Sequence, residues 1–276
     1  MHTSRQAILL VLCVSASCAG CSSLGRFSPV SPLERSLAFQ PAKYPAGEWQ
    51  PSEVPVEDAW FQADDGTKLH GWFLDHAEPR AVALVLHGNG GNITLLSEAL
   101  AILNQRHRLA VMAVDYRGYG QSEGRPTETG ILQDARAARR WLSRRVGVSE
   151  REIVLMGHSL GGSVAVDLAA NDGARGLVLT STFTSLPDVA KSHMPLLPVR
   201  AVMTMRMESL RKISNYHGPL LISHGDADEV IPIEQGFPLF EAANEPKQFI
   251  RNRGGRHNDP QPEAYRKALD EFIAGL

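Results

Sequence analysis

Gly157-His158-Ser159-Leu160-Gly161 follows the apolar run Ile153-Val154-Leu155-Met156 and leads into Gly162-Ser163-Val164-Ala165-Val166-Asp167-Leu168-Ala169-Ala170. The first run reads as a buried strand and the last, rich in small residues, as a helix. Between them Gly-x-Ser-x-Gly leaves room only for a tight, strained turn with the serine at its apex, the arrangement called a nucleophile elbow. The flanking glycines are required because the helix must pass close to the strand it has just left. A serine raised above the end of a sheet in this way points to acyl transfer through a covalent serine intermediate.

Outward from the elbow, elements alternate. Asp65-Gly66 separates Ala59–Gln62 from Lys68–Phe73 and predicts a hairpin. Ala81–Leu86 and Leu109–Val114 are continuous apolar runs, as expected of strands covered on both faces. Further strands are expected at Glu152–Met156, Gly176–Leu179, Pro219–Ser223 and Lys247–Arg251. Helical spacing marks Ile93–Asn104, Pro262–Ala274 and Thr129–Arg145, the last with Ile131, Ala135, Ala138 and Leu142 on one stripe. This order predicts an α/β fold with a mainly parallel central sheet and helices on both faces. The segment of about 181–217 interrupts the alternation and is long enough to form a small cap insertion.

A serine hydroxyl needs a base, and the base an orienting acid. In elbow hydrolases these follow in the order Ser, Asp or Glu, His. Downstream of Ser159, Leu220–Ser223 runs into the acidic turn His224-Gly225-Asp226-Ala227-Asp228-Glu229, and Gly254-Gly255-Arg256-His257-Asn258-Asp259 follows the last strand. His257 is therefore the candidate base, since histidine as a residue type can both accept and return a proton near neutral pH. Leu160, directly after the serine, is a candidate backbone donor to the oxyanion. His87, His158 and His224 read as packing and loop-shaping residues. His70, His76, His107, His193 and His217 show no metal-ligand spacing, and no metal or other cofactor is expected. The glycine-rich His87–Asn92 lacks the Lys-Ser/Thr of a phosphate-binding loop. Arg136, Arg139, Arg140, Arg144 and Arg145 read as a solvated helix face. Met194, Met203, Met205 and Met207 admit two readings: a deformable acyl-binding surface or ordinary packing.

From about Trp60 to its C-terminus the chain resembles the α/β-hydrolase superfamily. The resemblance is strongest to a small-capped branch containing bacterial serine hydrolases and the eukaryotic depalmitoylating thioesterases. It rests on His87-Gly88-Asn89-Gly90-Gly91-Asn92, Asp115-Tyr116-Arg117-Gly118-Tyr119-Gly120-Gln121-Ser122, the Ser159 elbow, His224-Gly225-x-x-Asp228-x-x-Ile231-Pro232 and Gly255-x-His257-Asn258-Asp259. It implies a triad of Ser159, Asp228 and His257, with Asp226 as the alternative acid, and an oxyanion hole formed by the backbone N–H groups of Asn89 and Leu160. The implied substrate is a small acyl ester or thioester handled by a monomer. The same triad would serve an aminopeptidase or amidase, and the fold alone would serve a non-catalytic binding module.

The N-terminus is of another kind. Met1–Gln6 carries one Arg and no acid, Ala7–Val14 is apolar and Ser15–Gly20 is small, the layout of an export signal over residues 1–20. Its apolar core is too short to span a bilayer, which takes about 20 residues. Ala19-Gly20-Cys21-Ser22-Ser23 resembles a bacterial lipoprotein processing site with Cys21 as the lipidated residue, although Cys18 stands where that pattern prefers Leu. Cleavage before Cys18, or an ordinary signal peptide, are the alternatives. By the same resemblance the protein is expected at the cell envelope, held to the outer membrane on its periplasmic side by lipid. Residues 21–55 then form the lipidated N-terminus and a tether, and residues 56–276 the hydrolase domain. The three cysteines all lie at or before position 21, so the body carries neither disulfide nor thiol nucleophile. A formal net charge of −2 provides no general attraction to nucleic acid, which is not expected as a partner.

Overall fold

A computed structural model of the chain describes residues 31–51 and 55–276. The export segment 1–20 and Cys21 lie outside the described residues. Eight strands form the main sheet: β1 (Glu57–Gln62), β2 (Lys68–Leu74), β3 (Ala81–Leu86), β4 (Leu109–Asp115), β5 (Ile153–His158), β6 (Gly176–Thr180), β7 (Leu220–Gly225) and β8 (Lys247–Asn252). Their order is β8-β7-β6-β5-β3-β4-β2-β1. The hairpin pairs Gln62 with Lys68 across its turn, and β2 pairs antiparallel with both β1 and β4. From β4 to β8 every pairing is parallel.

The strands divide two apolar layers by simple alternation. Val82, Leu84 and Leu86 of β3 face one layer, while Ala81 and Ala83 face the other. The nine helices among the described residues are α1 (Ser31–Ala38), α2 (Ser97–Gln105), α3 (Glu128–Val146), α4 (Leu160–Asp172), α5 (Leu186–His193), α6 (Val199–Val202), α7 (Ser209–Lys212), α8 (Gly236–Ala242) and α9 (Glu263–Ala274). The first layer is covered by α3, α4 and α8 and the second by α2 and α9. The predicted stripe of α3 is fully buried. Its two branched members, Ile131 and Leu142, each contribute about 1.5–3 kcal/mol by leaving water. Thr127 caps the start of α3 by accepting from the Gly130 N–H, and Gly147 ends it in the left-handed region. The expected helix at Ile93–Asn104 begins instead as a 3-10 turn over Ile93–Leu96, with Asn92 as its cap.

The sheet winds outward in both directions from β3, because β4 lies on one side of it and β5 on the other. Where winding reverses, the loops leaving the carboxyl ends of adjacent strands diverge and open a crevice. The loop after β3 carries Asn89, and the turn after β5 carries Ser159.

Two regions depart from the sequence expectation. The arginine face of α3 is not merely solvated. Arg139 is fully buried and donates to the carbonyls of Glu150 and Gly173, while Arg136 bridges Asp167 and Asp172. The expected tether is ordered over residues 31–51. Gln40–Pro41 pairs parallel with Gly90–Gly91, Phe39 is buried in the first layer, and the Glu34 carboxylate accepts from Thr204 N and Thr204 Oγ1. This arm is held by backbone bonds and single side chains, which leave no periodicity to read. The segment expected as an insertion, between β6 and β7, holds three short helices, α5 to α7, docked on α4 through Ser209 Oγ, which donates to Ser163 Oγ at 2.7 Å.

Candidate active site

The elbow forms as the five-residue motif predicts. Ser159 has φ 53° and ψ −117°, a conformation costing roughly 1–3 kcal/mol that persists only where the surroundings hold it. They do. Ser159 N donates to the Thr180 carbonyl at 2.9 Å, and the Ser159 carbonyl accepts from Gly162 N and Thr182 Oγ1. A Cβ on Gly157 would collide with the Gly161 backbone, and one on Gly161 with the Leu86 carbonyl oxygen. No side chain fits at either position, so the Gly-x-Ser-x-Gly spacing is a steric requirement here.

The candidate acid and base come from the two strands at one end of the sheet. Asp228 follows β7 and His257 follows β8. His257 Nδ1 lies 2.8 Å from Asp228 Oδ2. A carboxylate can only accept, so Nδ1 carries the proton and Nε2 is left as a free base. Asp228 Oδ1 accepts from Val230 N at 2.9 Å and Ile231 N at 2.8 Å, and His224 Nε2 stands 3.5 Å from Oδ2. Burial pushes the Asp228 carboxyl up, but the hydrogen bonds from His224, His257 and Ile231 outweigh it and hold the group well below the ordinary carboxylate range. Asp226, the alternative acid, points elsewhere. It pairs with Arg251 at 2.8 Å and accepts from Gly254 N at 2.6 Å. The geometry thus brings Asp228, and not Asp226, to His257.

The His257 ring lies 4.9 Å, centroid to centroid, from the ring of His158, the residue preceding Ser159. Among the described residues no hydrogen bond joins Ser159 Oγ to His257; such bonds are commonly long in unliganded sites and tighten with substrate. Burial, reinforced by the nearby His257, lowers the pKa of His158 to about 4, so this second imidazole is neutral at pH 7. His158 Nδ1 and Nε2 face Thr180 Oγ1 and Asn258 Oδ1 at 3.2 and 3.3 Å, which ties the elbow to the His257 loop. The sequence signal for this role was adjacency alone.

Across the crevice, a Cβ on Gly88 would stand 3.6 Å from Ser159 Cβ, so the loop after β3 runs alongside the serine. Among the described residues the Asn89 N–H donates to nothing, and Leu160 N–H, opening α4, has no acceptor one turn back. The two expected oxyanion donors are therefore both unengaged. The Asn89 carbonyl, in contrast, accepts from Gln40 N and Tyr119 Oη, each at 2.8 Å. Neither partner was singled out from the sequence.

Of the four insertion methionines, Met205 and Met207 are buried in the first apolar layer. Two hollows near the insertion, of about 240 and 450 Å³, are lined by residues such as Leu197, Val199, Thr184 and Leu210, and by none of the four. For this pair, packing is the reading the structure favours. Among the described residues no group of His, Cys, Asp or Glu is arranged to hold a metal ion.

Residues 77–202 match the family model described as serine aminopeptidase, S33. The uncharacterized protein Rv2307c of Mycobacterium tuberculosis is 36% identical over 239 residues, covering 86% of this chain and 85% of that protein. WAV2 of Arabidopsis thaliana, an alpha/beta hydrolase domain-containing protein, is 32% identical, covering 84% of this chain and 80% of WAV2. Among solved structures, the esterase Pf2001 of Pyrococcus furiosus superposes with a TM-score of 0.71 over 86% of this chain and 97% of its own, at 19% identity. A puromycin-hydrolyzing peptidase of Mycobacterium tuberculosis superposes with a TM-score of 0.64 at 17% identity, over 80% of this chain and 39% of the peptidase.

Proposed function

The chain belongs to the α/β-hydrolase family that includes WAV2, and from that premise we propose that it is a serine hydrolase cleaving a carboxylic ester or thioester through an acyl-Ser159 intermediate. The observation carrying this reading is the 2.8 Å approach of His257 Nδ1 to Asp228 Oδ2, which leaves Nε2 as the free ring nitrogen, together with the strained, glycine-flanked turn at Ser159. Ser159 Oγ attacks the carbonyl carbon as His257 Nε2 takes its proton. The carbonyl electrons move onto the oxygen, which receives the N–H groups of Asn89 and Leu160. Collapse expels the alcohol or thiol, which takes the proton from His257. Water then repeats the sequence and releases the acid. Asp228 stays ionised throughout and stabilises the imidazolium.

An amide-cleaving reading has its own support in the match to the serine aminopeptidase model. The two differ in the leaving group alone. A panel of aryl esters, acyl thioesters and aminoacyl anilides separates them, and ester or thioester turnover below that of the anilides would replace the main reading with the second. A fluorophosphonate that labels the protein but not Ser159→Ala tests the chemistry common to both. No labelling of well-folded protein would favour a binding module instead.

The thioesterase-like branch, action as a monomer and attachment to the periplasmic side of an outer membrane through lipid on Cys21 belong to this proposal as well. Mass analysis of the mature N-terminus tests the attachment, and an unmodified N-terminal residue refutes it.

A further inference from the structure

The loop that supplies the Asn89 N–H is itself held from both sides, and the groups holding it take no part in the chemistry above. His87 Nδ1 lies 2.7 Å from the Gly88 carbonyl oxygen. That oxygen can only accept, so the ring donates from Nδ1. Gly88 C=O and Asn89 N–H belong to one planar peptide unit, in which the two groups point in opposite directions when the bond is trans. Fixing the carbonyl on the imidazole therefore fixes the N–H on the opposite side. The next unit is fixed too, because the Asn89 carbonyl accepts from Tyr119 Oη and Gln40 N.

The ring that performs this has no freedom. His87 is 3% exposed, with the rings of Tyr116 and Tyr119 at 4.5 and 5.0 Å between centroids. Its Nε2 has no hydrogen-bond partner and stands 3.8 Å from Asp115 Oδ1. Burial, opposed only in part by Asp115, lowers the His87 pKa, which keeps the ring neutral with its single proton on Nδ1. Resting on the acyl-serine reading above, we propose that His87 and Tyr119 are positioning residues, which lock two successive peptide planes so that the Asn89 N–H is aimed at the oxyanion before substrate arrives.

The test uses variants of one shape. His87→Asn keeps an N–H donor near the Nδ1 position, and His87→Leu has the same outline without it. Ester turnover is measured for both, beside the unaltered protein, Ser159→Ala and Tyr119→Phe. The oxyanion exists only in the transition state, so the loss falls on kcat and leaves KM within about two-fold. Outright removal of one oxyanion donor costs about 10²–10³ in rate. Misaiming it through His87→Leu is expected to cost about 10–100-fold, with His87→Asn recovering most of this and Tyr119→Phe costing about 3–10-fold. A folded His87→Leu protein with unchanged kcat overturns the proposal, as does a loss borne by KM alone. Should His87→Leu fail to fold, Tyr119→Phe decides, since it removes one hydroxyl; unchanged kcat there overturns the proposal. Turnover that is the same in Ser159→Ala as in the unaltered protein refutes the acyl-serine reading, and this inference with it. Ser159-dependent turnover that His87→Leu and Tyr119→Phe leave untouched refutes this inference alone.

Discussion

The turn after β5 and the insertion between β6 and β7 are near neighbours in the chain, yet they are held by opposite means. The turn is built from backbone against backbone: Gly157 against Gly161, Gly161 against the end of β3. The insertion is built from short helices, two of them only four residues long. It is anchored at a few side-chain points such as Ser163 with Ser209 and Glu34 with Thr204, while Leu196 lies 95% exposed. In the first region neither flanking glycine admits a side chain, and their spacing about the serine carries the structure. In the second, the contacts are with partners far away in the chain, and few positions are constrained.

That contrast can be broken or sharpened by substitution. The largest effect is expected at the acid. Asp228→Asn should lower kcat by about 10⁴, as removing a buried triad carboxylate does, whereas Asp226→Asn should stay within a few-fold; comparable losses in ester turnover would contradict the assignment made from the hydrogen bonds. Next comes Gly161→Ala, whose added carbon has nowhere to go; overpacking and backbone shift should cost about 3 kcal/mol or more in denaturant unfolding. In the insertion, Met205→Ala should cost about 2–3 kcal/mol by leaving a cavity in the first layer, with no change in acyl-length preference. A shift in preference would restore the pocket reading.

A smaller effect is linked to pH. The pKa of His158 falls from 6.5 to about 4 on folding. Between those values the unfolded chain binds the extra proton and the folded one does not, so stability decreases as pH drops from about 6.5 to about 4 and is level in this respect above 6.5. His158→Asn should flatten that slope across the window; urea midpoints that fall equally in both proteins would refute it. The smallest change is expected at Leu196→Ser, within about 0.5 kcal/mol by the same unfolding measurement, because a side chain already in water loses no burial.

The same contrast explains what could be read in advance. β3 and β4 are legible because continuous apolar runs have few other uses, and the elbow because glycine is compulsory at both flanks. His257 was found through chain order and strand-end position, and the family resemblance favoured Asp228 over Asp226 within one acidic turn; the hydrogen bond to His257 falls on Asp228. The arm at residues 31–51 read as a tether because Gln40 and Ala42 contribute backbone N–H groups, which every residue but proline has. Arg139 read as solvated because charged residues in a helix usually are; its burial depends on two carbonyls at the ends of distant elements. His158 and Tyr119 act through neighbours that no local pattern specifies.

Thirteen aligned peptide units begin at Leu160, immediately beyond Ser159. Their summed dipole places roughly half a positive charge at that end. This field belongs to the main chain and survives any exchange of side chain around it. Proteins stripped of the base or the acid should thus retain a floor of electrostatic assistance to the developing alkoxide, set by helix geometry rather than by residue identity.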